Sequence, residues 1–118
     1  MMVVIMFENV IADILSVGGV KGVYIFDSEG SLIEAESMLG DEEVVSALIA
    51  DLFNKANDVL SKISSDSVEL LTFEGSKDRV LVTKVGDVVL GVIADIKVSY
   101  GLLKIEVKKA AEKIAAMM

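Results

Sequence analysis

The sequence contains no cysteine, no histidine, no proline and no tryptophan, and aromatic residues make up only 5% of it. Without cysteine there is no disulfide framework and no thiolate metal site. Without histidine the chain lacks the commonest general base and the commonest metal ligand. Without proline few chain breaks are forced, which favours long regular elements. Basic residues are scarce: 11 Lys and Arg stand against 19 Asp and Glu, for a net charge of −8. A nucleic-acid partner needs a basic face, and this balance argues against one. Long hydrophobic runs are missing too. Residues 1–7 are apolar, but Glu8 and Asp13 interrupt the run well short of the ~20 residues of a membrane span. No basic region precedes it and no cleavage site follows it, so no targeting signal is read. The expectation is a cytoplasmic protein with no membrane partner.

What is present is apolar. Hydrophobic residues are 53% of the 118, and Ala, Val, Ile, Leu, Met, Phe and Gly together make up about 59%, against a usual 45–50%. Residues 1–118 read as one domain, large enough for a real core but too small to hide all of that surface. Part of it is expected to meet a partner or a second copy. The charge is uneven: residues 1–95 carry 6 basic and 17 acidic side chains, whereas residues 96–118 carry 5 and 2. A solvated helix face is the plain account of that basic end.

The pattern along the chain is αββαβββα. Phe7, Val10, Ile11, Ile14 and Leu15 fall on one helical face, and Gly18-Gly19 ends a first helix expected over about residues 4–17. Residues 23–26 and 31–36 form a hairpin across Asp27-Ser28-Glu29-Gly30, with Leu32, Glu34 and Glu36 alternating against Ile33 and Ala35. Asp41 caps a second helix, with Glu42 and Glu43 at the positive end of its dipole. Val45, Leu48, Ile49, Leu52, Phe53, Ala56, Val59, Leu60 and Ile63 keep helical spacing there, and Val44 and Ala47 widen the stripe. So wide an apolar arc implies two contacts, one with the helix's own sheet and one with something else. Residues 68–74, 79–85 and 88–94 are strands of an antiparallel meander with a tight turn at Gly86-Asp87. Ser99 caps a last helix whose buried stripe is read as Leu103, Val107, Ala110, Ala111, Ile114 and Met118. The fold class is α+β, a five-stranded antiparallel sheet covered by helices.

No motif for chemistry survives inspection. Gly18-Gly19-Val20-Lys21-Gly22 follows a helix and opens a strand, the reverse of a phosphate loop, and lacks Ser or Thr after the lysine. Counted as a calcium loop from Asp27, the required glycine and glutamate positions are Leu32 and Met38. Glu34 and Glu36 share a strand face and read as charges that keep an edge soluble. No histidine is available to activate a serine, and no spacing points to a Ser-Lys pair. Arg79, the single arginine, reads as a solubilising residue at a hairpin end rather than as a finger inserted into a GTPase site. No cofactor, zinc or nucleotide is expected to bind the isolated chain.

Taken in order, these segments resemble the roadblock family, that is, the roadblock-type dynein light chains and their prokaryotic relatives. The resemblance is carried by Val17-Gly18-Gly19-Val20-Lys21-Gly22-Val23, Tyr24-Ile25-Phe26-Asp27-Ser28-Glu29-Gly30, Val85-Gly86-Asp87 and Ser99-Tyr100-Gly101-Leu102-Leu103-Lys104 with Ala110-Ala111. Ser99 stands where the family often has asparagine, and both are good caps. The resemblance implies a non-enzymatic dimer in which second helices pack together and middle strands pair into a ten-stranded sheet. It further implies regulation of a small Ras-like GTPase or, as an alternative, a structural scaffold or adaptor without effect on GTP turnover. The candidate interface residues of this chain are Val44, Ala47, Leu48, Asp51 and Lys55 on the second helix. On the strand that follows they are Val68, Leu70, Leu71 and Phe73.

Overall fold

The computed structural model describes residues 2–118. It consists of α1 (Met2–Leu15), β1 (Val20–Asp27), β2 (Leu32–Ser37), α2 (Glu42–Ser64), β3 (Leu70–Glu74), β4 (Asp78–Val85), β5 (Val88–Asp95) and α3 (Tyr100–Ala116). The expected element order is observed. α1 stops two residues before its expected end, in a turn where Val17 donates to the Ile14 carbonyl, and β1 starts earlier than residue 23. Asp27 serves its own turn: its carboxylate accepts from the backbone N–H of Glu29 at 2.9 Å and of Ser31 at 3.0 Å. Gly30 closes that turn at φ 92°, where a Cβ would lie 2.9 Å from the Ala47 Cα of α2. Asp41 and Ser99 act as caps, accepting from Val44 N–H and Leu102 N–H.

The sheet order is β2-β1-β5-β4-β3, antiparallel throughout. The β1–β5 pair joins the hairpin to the meander across more than sixty residues of chain, and no local pattern announces it. Helices α1 and α3 cover one face, and α2 alone packs over β2, β1 and β5 on the other. Each face has its own core. Phe7, Val10, Ile11 and Ile14 of α1 meet Val23, Ile25, Leu81, Leu90 and Val92 of the sheet and Leu103, Val107 and Ile114 of α3. On the other side Tyr24, Phe26, Val82 and Val89 pack with Ile49, Ala50 and Phe53 of α2. Strand alternation explains the split, since neighbouring residues such as Ile25 and Phe26 point to opposite faces.

Four expectations need correction. Between β1 and β2 the register runs Ile25↔Glu34 and then Phe26↔Leu32, so Ile33 is an inserted residue that breaks the simple alternation of Leu32 with Glu34. Val68 lies before β3, because its N–H donates to Asn57 Oδ1 of α2 at 2.8 Å rather than to a ladder. Met118 lies beyond the end of α3 and is 64% exposed, outside the buried stripe. Arg79 is not a solvated hairpin end. Its side chain is only 14% exposed, donates to Glu74 at 2.7 Å and to the Val98 carbonyl at 2.9 Å, and lies over the Tyr100 ring.

Candidate interaction surface

The two apolar faces of α2 differ in what covers them. Ser46, Ile49, Ala50 and Phe53 are buried against the sheet. Val44, Leu48, Leu52, Val59 and Ile63 are exposed, Leu48 at 65% and Ile63 at 76%. At ~100° per residue the two sets are centred roughly 130° apart around the axis. Leu52, Val59 and Ile63 share helical spacing with Ile49 and Phe53 in the sequence, yet only Ile49 and Phe53 are buried. The angular separation was in the sequence, but which stripe would face the sheet was not.

Of the other candidate residues on α2, Asp51 and Lys55 are exposed and form an (i, i+4) ion pair at 2.9 Å, and Asp58 and Lys62 repeat it one turn further on. These charges flank the apolar stripe and largely cancel one another. Ala47 is exposed on the side of α2 that abuts Gly30.

The candidates on β3 divide between the faces. Leu71 pairs with Val82 and Phe73 with Val80, which puts both on the α2 side; Phe73 is 38% exposed. Leu70 packs against the α1–α3 core. β3 is an edge strand bonded only to β4, so its outer backbone groups are free to pair. α2 packs chiefly at the β2–β1–β5 end, and Leu71, Phe73 and Val80 extend the apolar surface toward the β3 edge. The exposed stripe of α2 and this end of the sheet therefore lie on one side of the molecule.

Several polar groups elsewhere are engaged within the fold. A groove of about 580 Å³ between α2, the segment leading into β3, and the end of β4 with its turn is lined by Asn54, Asn57, Glu69, Thr83 and Lys84. Both amides are already engaged, Asn54 with the Ser28 carbonyl and Asn57 with Val68. Lys21 of β1 donates to Asp78 of β4 at 2.5 Å; this hydrogen bond, with the charges of Asp78 and Asp95, holds the ammonium above its ordinary value against the cost of desolvation. Tyr24 is fully buried, and burial pushes its phenol up, although the Ser37 hydroxyl at 2.5 Å partly opposes the shift. Among the described residues no three His, Cys, Asp or Glu side chains are grouped so as to hold a metal ion. No described helix is long and apolar enough to cross a membrane.

A five-stranded antiparallel sheet with a helix pair on one face and one long, outwardly apolar helix on the other defines an α+β domain. Residues 6–94 match the Roadblock/LC7 domain, and the chain belongs to that family. Among its relatives is the uncharacterized protein MJ0714 of Methanocaldococcus jannaschii, 34% identical over 118 residues and covering 98% of this chain and 99% of the relative. MglB of Myxococcus xanthus has the same fold with a TM-score of 0.84 at 26% identity, covering 94% of this chain and 95% of its own. The gliding protein MglB of Thermus thermophilus superposes with a TM-score of 0.87, covering 98% and 90%, and at 18% identity it bears on the fold alone. The roadblock resemblance and the fold class read from the sequence are thereby both established. The family is in general regulatory and not catalytic.

Proposed function

We propose that this protein is a homodimeric, non-catalytic regulator that binds a small Ras-like GTPase and modulates its nucleotide cycle. The observation that carries the reading is the exposed stripe Val44, Leu48, Leu52, Val59 and Ile63 on the side of α2 away from its own core. Five large apolar side chains in a row on one helix are a contact surface awaiting a partner. A two-fold contact between α2 helices, continued by pairing of β3 edges, would cover the stripe and Phe73 together. Such an isologous contact buries at least ~1,000 Å² in total. Family membership and the likeness to MglB support a regulatory role, and the composite surface of two α2 helices is the docking site for the GTPase. Glu43, Asp51, Lys55 and Asp58 form its rim and tune encounter rate more than lifetime.

The test has two parts. Light scattering at micromolar concentration should give twice the 12.6 kDa of one chain. A Ras-like GTPase from the same organism should then hydrolyse or exchange GTP at a different rate when this protein is added. A stable monomer refutes the dimer. Binding without any change in nucleotide turnover replaces the regulator by a scaffold.

A further inference from the structure

The sheet has two open edges, and they differ in chemistry. At the β3 edge Leu71 and Phe73 favour pairing with an identical strand. At the other end, no backbone hydrogen bond joins residues 32–37 of β2 to any strand but β1. Beyond the inserted Ile33, Glu34 pairs with Ile25 and Glu36 with Val23, so both glutamates stand on the α1 side of the sheet. There Glu8 and Ile11 of α1 join them around a crevice of about 310 Å³. None of the three glutamates is in an ion pair among the described residues. They also do not converge as a metal site would. Two of the carboxylates are strung along an open strand, with Glu8 of α1 beside them, instead of gathered about a point.

We propose that the β2 edge takes an extended, basic segment of a partner protein by strand addition, with its lysine or arginine side chains set against Glu8, Glu34 and Glu36. The unpaired backbone of residues 34–37 supplies the ladder. Glu34 and Glu36 repeat at the two-residue period of a strand, roughly 6.6 Å, which is the spacing of alternate side chains on an added chain. A second copy of this protein is the wrong occupant, because antiparallel self-pairing about Ala35 would set Glu34 opposite Glu36, and like charges facing across a ladder repel. The glutamates thus reject self-association at this edge and select a partner of opposite charge. The surface lies at the far end of the sheet from β3, so the inference stands apart from the dimer and the GTPase.

The probe is a capped six-residue peptide of alternating lysine and valine, titrated into the whole protein and followed by the backbone amide signals. Shifts are expected at residues 34–37 and at Glu8 and Ile11, with slowed exchange of the outward β2 amides. The same peptide with glutamate for lysine should not bind. In E34Q/E36Q, which exchanges a half-buried and an exposed carboxylate for neutral isosteres, affinity should fall at least ~tenfold, and added salt should weaken binding to the parent protein. Equal binding of the acidic peptide, an unchanged affinity in E34Q/E36Q, shifts confined to α2 or β3, or no shifts at millimolar peptide would each overturn the proposal. So would β2 shifts that grow with protein concentration alone, since a second copy would then be the occupant.

Discussion

The Arg79 guanidinium lies 5.0 Å from the centre of the Tyr100 ring and ties the start of β4 to the start of α3. Its Nε donates to Glu74 of β3 and its Nη1 to the Val98 carbonyl, while the Tyr100 hydroxyl shares a hydrogen bond with Thr72 of β3 at 2.9 Å. Lys104 approaches the same ring at 5.3 Å. One cation thus joins the edge strand, the β5–α3 connection and the last helix.

Arg79→Ala should therefore lower stability. Losing hydrogen bonds from a charged donor and the cation–π contact costs on the order of 1–3 kcal/mol. Urea unfolding measures this. Stimulated GTP hydrolysis by a bound GTPase should stay nearly intact at temperatures where the variant is folded, because Arg79 is committed to the fold. A true arginine finger is worth ~10³–10⁵ in rate. A loss of that size in a folded variant that still binds the GTPase would assign Arg79 to catalysis.

Leu48 and Ile49 are neighbours in sequence, and they should respond in opposite ways to the same substitution. Leu48→Asp places a charge on an exposed position, so the variant should keep its circular dichroism while light scattering reports loss of the dimer and the unfolding midpoint loses its dependence on protein concentration. Ile49→Asp buries an unpaired charge beneath α2 and should unfold the domain, at a cost of several kcal/mol. A Leu48→Asp protein that remains dimeric would remove the α2 stripe from the interface.

Ser46 is fully buried on the sheet side of α2, and its hydroxyl has no hydrogen-bond partner among the described residues. Alanine has the higher helix propensity and carries no group to desolvate. Ser46→Ala should leave the fold unchanged and raise stability by up to ~1 kcal/mol, read as a higher urea midpoint. A drop of similar size would mean that the hydroxyl is engaged in solution.

Stability should be flat near neutral pH and fall in alkali. The chain has no histidine, and among the described residues the groups whose affinity for protons clearly rises on folding are Lys21 and Tyr24, from ordinary values of 10.5 and 10.0. A raised value in the fold means that the contribution is complete below the unfolded value and is lost as pH rises through the folded one. Between about pH 6 and 9 the unfolding midpoint should hold steady, and above about 10 it should decline. Tyr24→Phe should make that decline shallower. The half-buried Lys21–Asp78 pair contributes the smaller part, since solvent still reaches and screens it.

The elements were legible because their signals are local. Asp41 and Ser99 are caps that act within three residues, and Gly86, at φ 60°, supports a two-residue turn whose strands follow directly. The apolar excess and the broad stripe of α2 also announced more apolar surface than the helix's own sheet covers. The family resemblance rests on the same short segments. For the candidate surface the sequence marked the helix and the strand after it, together with Val44, Leu48 and Phe73 within them.

The remainder depended on contacts between distant segments. Whether Leu48 or Ile49 faces the sheet is set by how α2 lies over β2, β1 and β5, and helical spacing alone serves either stripe. The neighbour of β1 is β5 because the hairpin and the meander bury both faces of a shared sheet, a choice that no stretch of a dozen residues encodes. Val68 leaves the strand because Asn57, eleven residues earlier, takes its N–H. Arg79 is drawn onto the Tyr100 ring by a carbonyl and a ring that the β5–α3 connection brings to it. Local hydrogen bonds and backbone preferences determine which elements form; burial of apolar area, shared among segments far apart in the chain, decides which of their faces remain for a partner.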